Sequence, residues 1–137
     1  MILADTSAWV EYDRATGSAV DERMAELISG RERALATTEP VVTEVLAGAK
    51  DDQREDDLRR LLIRYPLLPF DAAADFAGAV QIYRSCRRAG VTPRGLLDCL
   101  TAAVAIRHGA ALLTADHDLG RIADVMDLQI DEAVTPT

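Results

Sequence analysis

The twelve residues from Leu96 to Arg107 (Leu-Leu-Asp-Cys-Leu-Thr-Ala-Ala-Val-Ala-Ile-Arg) constrain the fold of this chain more than any other stretch. They are apolar nearly all round, the mark of a helix buried on most sides. One carboxylate, Asp98, interrupts them. A buried carboxylate must pair, hold a metal ion or give up its charge. No Lys or His lies in the stretch and the only Arg closes it, so a distant part of the chain has to compensate Asp98.

The rest of the chain alternates short apolar runs with helical patterns. Ile2-Leu3-Ala4, Leu35-Ala36-Thr37 and Ala111-Leu112-Leu113-Thr114 read as buried strands, and Leu128-Gln129-Ile130 as a last one. Leu67-Leu68-Pro69-Phe70 is too interrupted by proline for anything but a short or edge strand. Thr6 or Ser7 is expected to cap a first helix that Gly17 breaks, and Ser18 to open a second with Val20, Met24, Leu27 and Ile28 inward. Glu39-Pro40 starts a third helix with Val41, Val42, Val45 and Leu46 inward. Asp51 or Asp52 starts a fourth, which buries Leu58, Leu61, Leu62 and Tyr65 before Pro66. A long helix capped by Asp71 is expected to turn Phe76, Val80, Tyr83 and Cys86 inward, and a short one around Leu119 to Val125 precedes the last strand.

Strands alternating with helices in this way predict an α/β fold, a single domain with a mostly parallel central sheet flanked by helices. It should span residues 1–131, with 132–137 as a tail. No apolar run approaches the ~18 residues of a membrane span. The first residues lack the basic and apolar regions of a signal peptide, so a cytoplasmic location without membrane contact is expected. Cys86 and Cys99 form no metal or redox motif and read as small core residues.

Acids then recur where such a fold does its chemistry. Asp5 directly follows one strand and Asp116 another, and the crevice of an open parallel sheet lies beyond the carboxyl ends of its strands. Asp98 falls in the first turn of its helix, where the helix dipole favours negative charge. Glu44 falls in the second turn of a helix that also follows a strand. Singly, Asp5 can be a helix cap, Asp116 a turn acid and Glu44 a solvated residue. Together they suit a hard divalent cation, Mg²⁺ or Mn²⁺, which prefers oxygen ligands.

The net charge of −8 excludes a general nucleic-acid coat, and 4% aromatic residues are too few for a base-stacking platform. Every base except Lys50 is arginine. Arg84, Arg87, Arg88 and Arg94 form the basic cluster, which suits either an RNA backbone or a solvated helix face. His117, between two acids, and His108, at a helix end, read as bystanders.

Asp5-Thr6-Ser7 after the first strand, Glu44 in Thr-Glu-Val-Leu-Ala-Gly, Asp98 in Leu-Leu-Asp-Cys and Thr114-x-Asp116 together resemble the PIN domain. More narrowly they resemble the VapC toxins of bacterial toxin–antitoxin pairs, across about the whole chain. Arg-x-x-Arg-Arg-x-Gly at residues 84–90 resembles a mycobacterial-type subset. The resemblance implies a Mg²⁺-dependent endoribonuclease, with Mn²⁺ as an alternative ion. It implies that Asp5, Asp98 and Asp116 hold the metal, that Glu44 binds it through water or helps hold a second ion, and that Asp118 is an auxiliary ligand. Ser7 and Thr114 would orient the carboxylates. It further implies a VapB antitoxin that reaches the acids through an arginine, and a homodimer formed through the early helices. The alternative is a catalytically silent PIN-like domain that binds RNA or protein. Haloacid-dehalogenase and phospho-receiver folds also place an Asp after a strand, but they require a second acid at the Ser7 position or a late lysine, which this chain lacks.

Overall fold

The computed structural model describes residues 1–30 and 34–131, so the expected tail at 132–137 lies outside the described residues. Three parallel strands form the sheet: β1 (Ile2–Ala4), β2 (Leu35–Ala36) and β3 (Ala111–Leu113), in the order β2-β1-β3. Ile2 pairs with Leu35 on one side and with Ala111 on the other. The chain therefore leaves the central strand toward one edge and later returns to build the other. Single parallel bridges extend the sheet, Thr37 to Leu67 and Leu112 to Ile130. The run at 67–70 contributes only a bridge, because Pro66 and Pro69 have no N–H to continue a ladder. The run at 128–130 joins β3 around Ile130, where the Leu112 N–H donates to the Gln129 carbonyl and the Asp131 N–H to the Leu112 carbonyl.

Seven helices among the described residues pack around the sheet: α1 (Thr6–Asp13), α2 (Ala19–Ser29), α3 (Glu39–Ala47), α4 (Asp52–Leu62), α5 (Ala72–Arg88), α6 (Leu96–His108) and α7 (His117–Val125). Most starts follow from side chains that satisfy free N–H groups. Ser18 caps α2 and Asp51 caps α4. The α1 cap is Asp5, not Thr6 or Ser7: its carboxylate accepts from the Ala8 N–H at 2.9 Å. An acid directly after a buried strand end is already in the extended conformation a cap needs, so strand end and cap coincide. Gly109, at φ 63°, closes α6 in the left-handed region that other residues avoid.

The core divides into two clusters on the two faces of the sheet. One gathers Trp9, Met24, Val41, Leu58 and Leu62 from α1–α4, and the other Ile82, Cys86, Cys99, Val104 and Ile122 from α5–α7. The middle of α6 is buried at Cys99 and from Thr101 to Ala105, with Leu100 half-buried, as its composition demands. Its first turn is not, for Leu96 and Leu97 are exposed.

The inward face of α5 differs from the expected one by a single residue of phase. Asp75, Ala79, Ile82 and Cys86 face the core, while Phe76 and Val80 are exposed. Two facts set this phase. Gly78 lies against α6 so closely that a Cβ there would sit 3.2 Å from the Ala103 Cβ, so the small-residue face must turn inward. Asp75 also receives a bidentate pair of hydrogen bonds from Arg107 at 2.8 and 2.9 Å. Phe76 instead stacks edge-on against Phe70, with centroids 5.2 Å apart.

Candidate active site

The central strand β1 and its neighbour β3 end in the same way. The β1 strand ends at Asp5 and β3 runs through Thr114 to Asp116, and each acid caps the helix that follows. The Asp116 carboxylate accepts from the Asp118 N–H at 2.9 Å at the start of α7. Because β1 and β3 are neighbours, the two acids emerge side by side at the carboxyl edge of the sheet. The N-terminus of α6 points to the same edge and brings Asp98.

Asp5 is buried and tightly held. Its Oδ1 accepts from the Ser7 hydroxyl at 2.7 Å as well as from Ala8, and its Oδ2 from the Thr114 hydroxyl at 2.6 Å. Thr114 in turn accepts from the Asp116 N–H at 2.9 Å, and Ser7 from the Ala115 N–H at 2.8 Å. Two hydroxyls thus tie the ends of β1 and β3 together through one carboxylate. Three donors on a group with about four acceptor positions leave one position free. Burial pushes the Asp5 carboxyl up to about 6 despite these donors, and Asp116 adds to the rise.

Asp98 has a different environment. Among the described residues no donor reaches its carboxylate. Burial is the largest cause that lifts it to about 7, followed by the negative fields of Asp116, Asp5, Glu44 and Asp118. All four of those acids therefore lie close enough to act on it. Glu44 is exposed on α3, its Oε1 taking a hydrogen bond from the Thr6 hydroxyl.

The donor chemistry fits a hard divalent cation: carboxylate oxygens in excess, repelling one another, on a rigid edge. Among the described residues no three His, Cys, Asp or Glu side chains are preassembled around a metal-sized position. The outer acids are instead tied to protein donors, Glu44 to Thr6 and Asp116 and Asp118 to Arg94. His117 is exposed at the first position of α7.

The sequence pattern described as the PIN domain matches residues 2–125. The chain belongs to the PIN-domain family. Within it, the chain is 49% identical over 129 residues to Ribonuclease VapC11 of Mycobacterium tuberculosis, covering 94% of this chain and 96% of that one. Such a match places it among the VapC ribonucleases. Two solved structures share the fold at about a fifth of the sequence. One is VapBC2 of Rickettsia felis bound to a promoter DNA fragment, with TM-score 0.75 and 20% identity over 96% of this chain and 98% of that one. The other is VapBC-1 of nontypeable Haemophilus influenzae, with TM-score 0.73 and 20% identity over 98% of this chain and 100% of that one.

The arginines of this PIN domain fall into two sets rather than one cluster. Arg84, Arg87 and Arg88 line a groove of about 350 Å³ along the end of α5. Arg94 stands apart in the loop before α6 and is bonded to the acids themselves. Sequence reasoning missed that bond, and also Thr6 as a donor to Glu44. Thr6 carries no signal beyond its place between Asp5 and Ser7. Arg94 does carry one, since it is the last base before the acidic helix. Both cysteines are free and buried, and burial raises Cys99 to about 11, which keeps it an inert thiol. Among the described residues no helix is long and apolar enough to cross a membrane.

Proposed function

We propose that this PIN domain is a metal-dependent endoribonuclease of the VapC type, a toxin that hydrolyses phosphodiester bonds of a tRNA or another structured RNA to inhibit translation and growth. One observation carries the reading. Asp5, Asp98 and Asp116 arrive from two strand ends and one helix start at a single mouth, where Asp98 feels the field of every other acid. The ribonuclease named among the relatives supports it.

Asp5, Asp98 and Asp116 would hold Mg²⁺ or Mn²⁺, with Glu44 acting on it through water. The bound ion supplies an activated water and neutralises charge on the scissile phosphate. The chain supplies rigidity. Ser7 and Thr114 fix the rotamer of Asp5, and the close α5–α6 packing at Gly78 holds the helix that carries Asp98. Arg84, Arg87 and Arg88 would grip the RNA backbone away from the cut, since arginine forks match phosphate oxygens.

The similar structures are VapBC2 and VapBC-1, which supports a cognate VapB-type antitoxin as partner. An arginine of such a partner would find bidentate acceptors in the acids. A homodimer through the early helices and a cytoplasmic location belong to the same reading. Light scattering at micromolar concentration checks the dimer, and a stable monomer refutes it.

The experiment for the activity uses the partner-free protein, total RNA and Mg²⁺, with sequencing of the new 5′ ends. The wild type should create defined 5′-phosphate ends and Asp98→Asn none. A wild type indistinguishable from Asp98→Asn on several substrates would instead make this a silent RNA- or protein-binding domain.

A further inference from the structure

We propose that Arg94 takes the place of a second cation in this site, holding Asp118 as a supporting carboxylate so that the centre accepts one divalent ion. The inference rests on the metal-dependent reading above and fixes what that reading leaves open, the number of ions.

The Asp118 side chain is 4% exposed, yet it is an acid at the site mouth. Its Oδ2 accepts from the Arg94 backbone N–H at 3.0 Å and from the Arg94 Nε at 2.9 Å. Its Oδ1 faces Arg121 Nη1 at 3.5 Å. Both oxygens of this buried acid are therefore turned to cations that the chain itself supplies. The guanidinium also spans to the neighbouring acid, with Nη2 at 3.2 Å from Asp116 Oδ1. It bridges Asp116 and Asp118, as an ion shared between two carboxylates would.

The bridge is built into the backbone. Arg94 donates to Asp118 through its main chain as well as its side chain, and the preceding Pro93 is buried. An arginine recruited by chance to a surface pair would need only its flexible side chain. Arg84 and Arg87, by contrast, have no acidic partner among the described residues, as suits groups left free for a phosphate backbone.

The oxygens left over point the same way. With both Asp118 oxygens turned to Arg94 and Arg121, and Glu44 held by the Thr6 hydroxyl so that it acts on an ion through water, the carboxylates left for direct contact are Asp5, Asp98 and the remaining oxygen of Asp116. Three carboxylates are enough to hold one divalent ion. A second ion between Asp116 and Asp118 would have to displace the guanidinium. Arg94 is thus a positioning residue, and Asp118, which the family resemblance makes an auxiliary ligand, becomes the post that holds it.

The test is a Mn²⁺ titration of the full-length, partner-free chain, followed by calorimetry and electron paramagnetic resonance. Wild type and Arg94→Lys should bind one equivalent, and Arg94→Ala should bind two. Arg94→Ala combined with Asp118→Asn should return to one. If Arg94→Ala does not fold, Asp118→Asn alone decides: retention of one equivalent at wild-type affinity supports the inference, and loss of that ion overturns it. Two equivalents in wild type, or one at unchanged affinity in folded Arg94→Ala, also overturn it. A wild type that binds no Mn²⁺ overturns the nuclease reading together with the inference.

Discussion

Asp98→Asn keeps the shape of the side chain and removes a charge that the fold holds against its own electrostatics. Without a metal ion, burial and the surrounding acids lift the Asp98 carboxyl from 3.8 to about 7. At about 1.4 kcal/mol per pH unit, that displacement corresponds to roughly 4 kcal/mol once the group is ionised. The residue is only half-buried, and solvent screening reduces the figure to about 1–2 kcal/mol. The folded chain holds this proton to higher pH than the unfolded chain does. The associated stability is therefore complete below about pH 4 and is lost as the pH climbs through about 7.

Thermal unfolding in chelator reads this directly. At about pH 8 the variant should melt about 3–8 °C above wild type. At about pH 4 the two should nearly coincide, because wild type has taken up its proton. Saturating Mg²⁺ should raise the wild-type midpoint and leave the variant nearly unmoved. A variant less stable than wild type at both pH values would show that contacts, not repulsion, dominate at Asp98, and the reasoning would fail.

Thr114→Val removes the hydroxyl that donates to Asp5 and accepts from Asp116, and should cost about 1–3 kcal/mol in urea unfolding with a matching loss of cleavage rate. Arg107→Ala leaves Asp75 buried without its partner and should cost about 3 kcal/mol by the same measurement. Since Arg107 holds the Asp75 carboxyl below its usual range, wild type loses this stability as the pH falls through that lowered value, so the gap between the two chains should close in acid. Replacing Arg84, Arg87 and Arg88 together with Ala should weaken RNA binding and reduce the magnitude of its log–log salt slope by about 2–3, with no change in melting temperature.

The parts of this fold that were legible in the sequence rest on local contrast. An acid at the end of a short apolar run marks Asp5 and Asp116, and an acid inside an apolar helix marks Asp98. Both patterns survive translation into three dimensions because strand ends and helix starts are where parallel sheets open. What stayed hidden depends on pairs far apart in the chain. Asp75 reads as one more solvated acid until Arg107, 32 residues on, is folded against it. The phase of α5 was set by Gly78 and by that pair, while its large residues Phe76 and Val80 suggested the neighbouring face. Arg94 reads as part of a basic run, and only the loop that swings it onto α7 separates it from Arg84, Arg87 and Arg88. The Ser7–Thr114–Asp5 knot joins residues more than a hundred positions apart, which no local pattern encodes.

The three acids at the mouth are unequal in what else they do. Asp5 and Asp116 each begin a helix, so a lineage that sheds activity by losing either one also damages its fold. Asp98 begins nothing and, among the described residues, accepts from no donor. Under selection against a harmful activity, position 98 is the exit that leaves a well-folded protein, even a sturdier one. Decayed copies of this gene are then expected to carry their lesion there more often than at 5 or 116. Such copies would persist as folded decoys, still able to occupy whatever partner once restrained them.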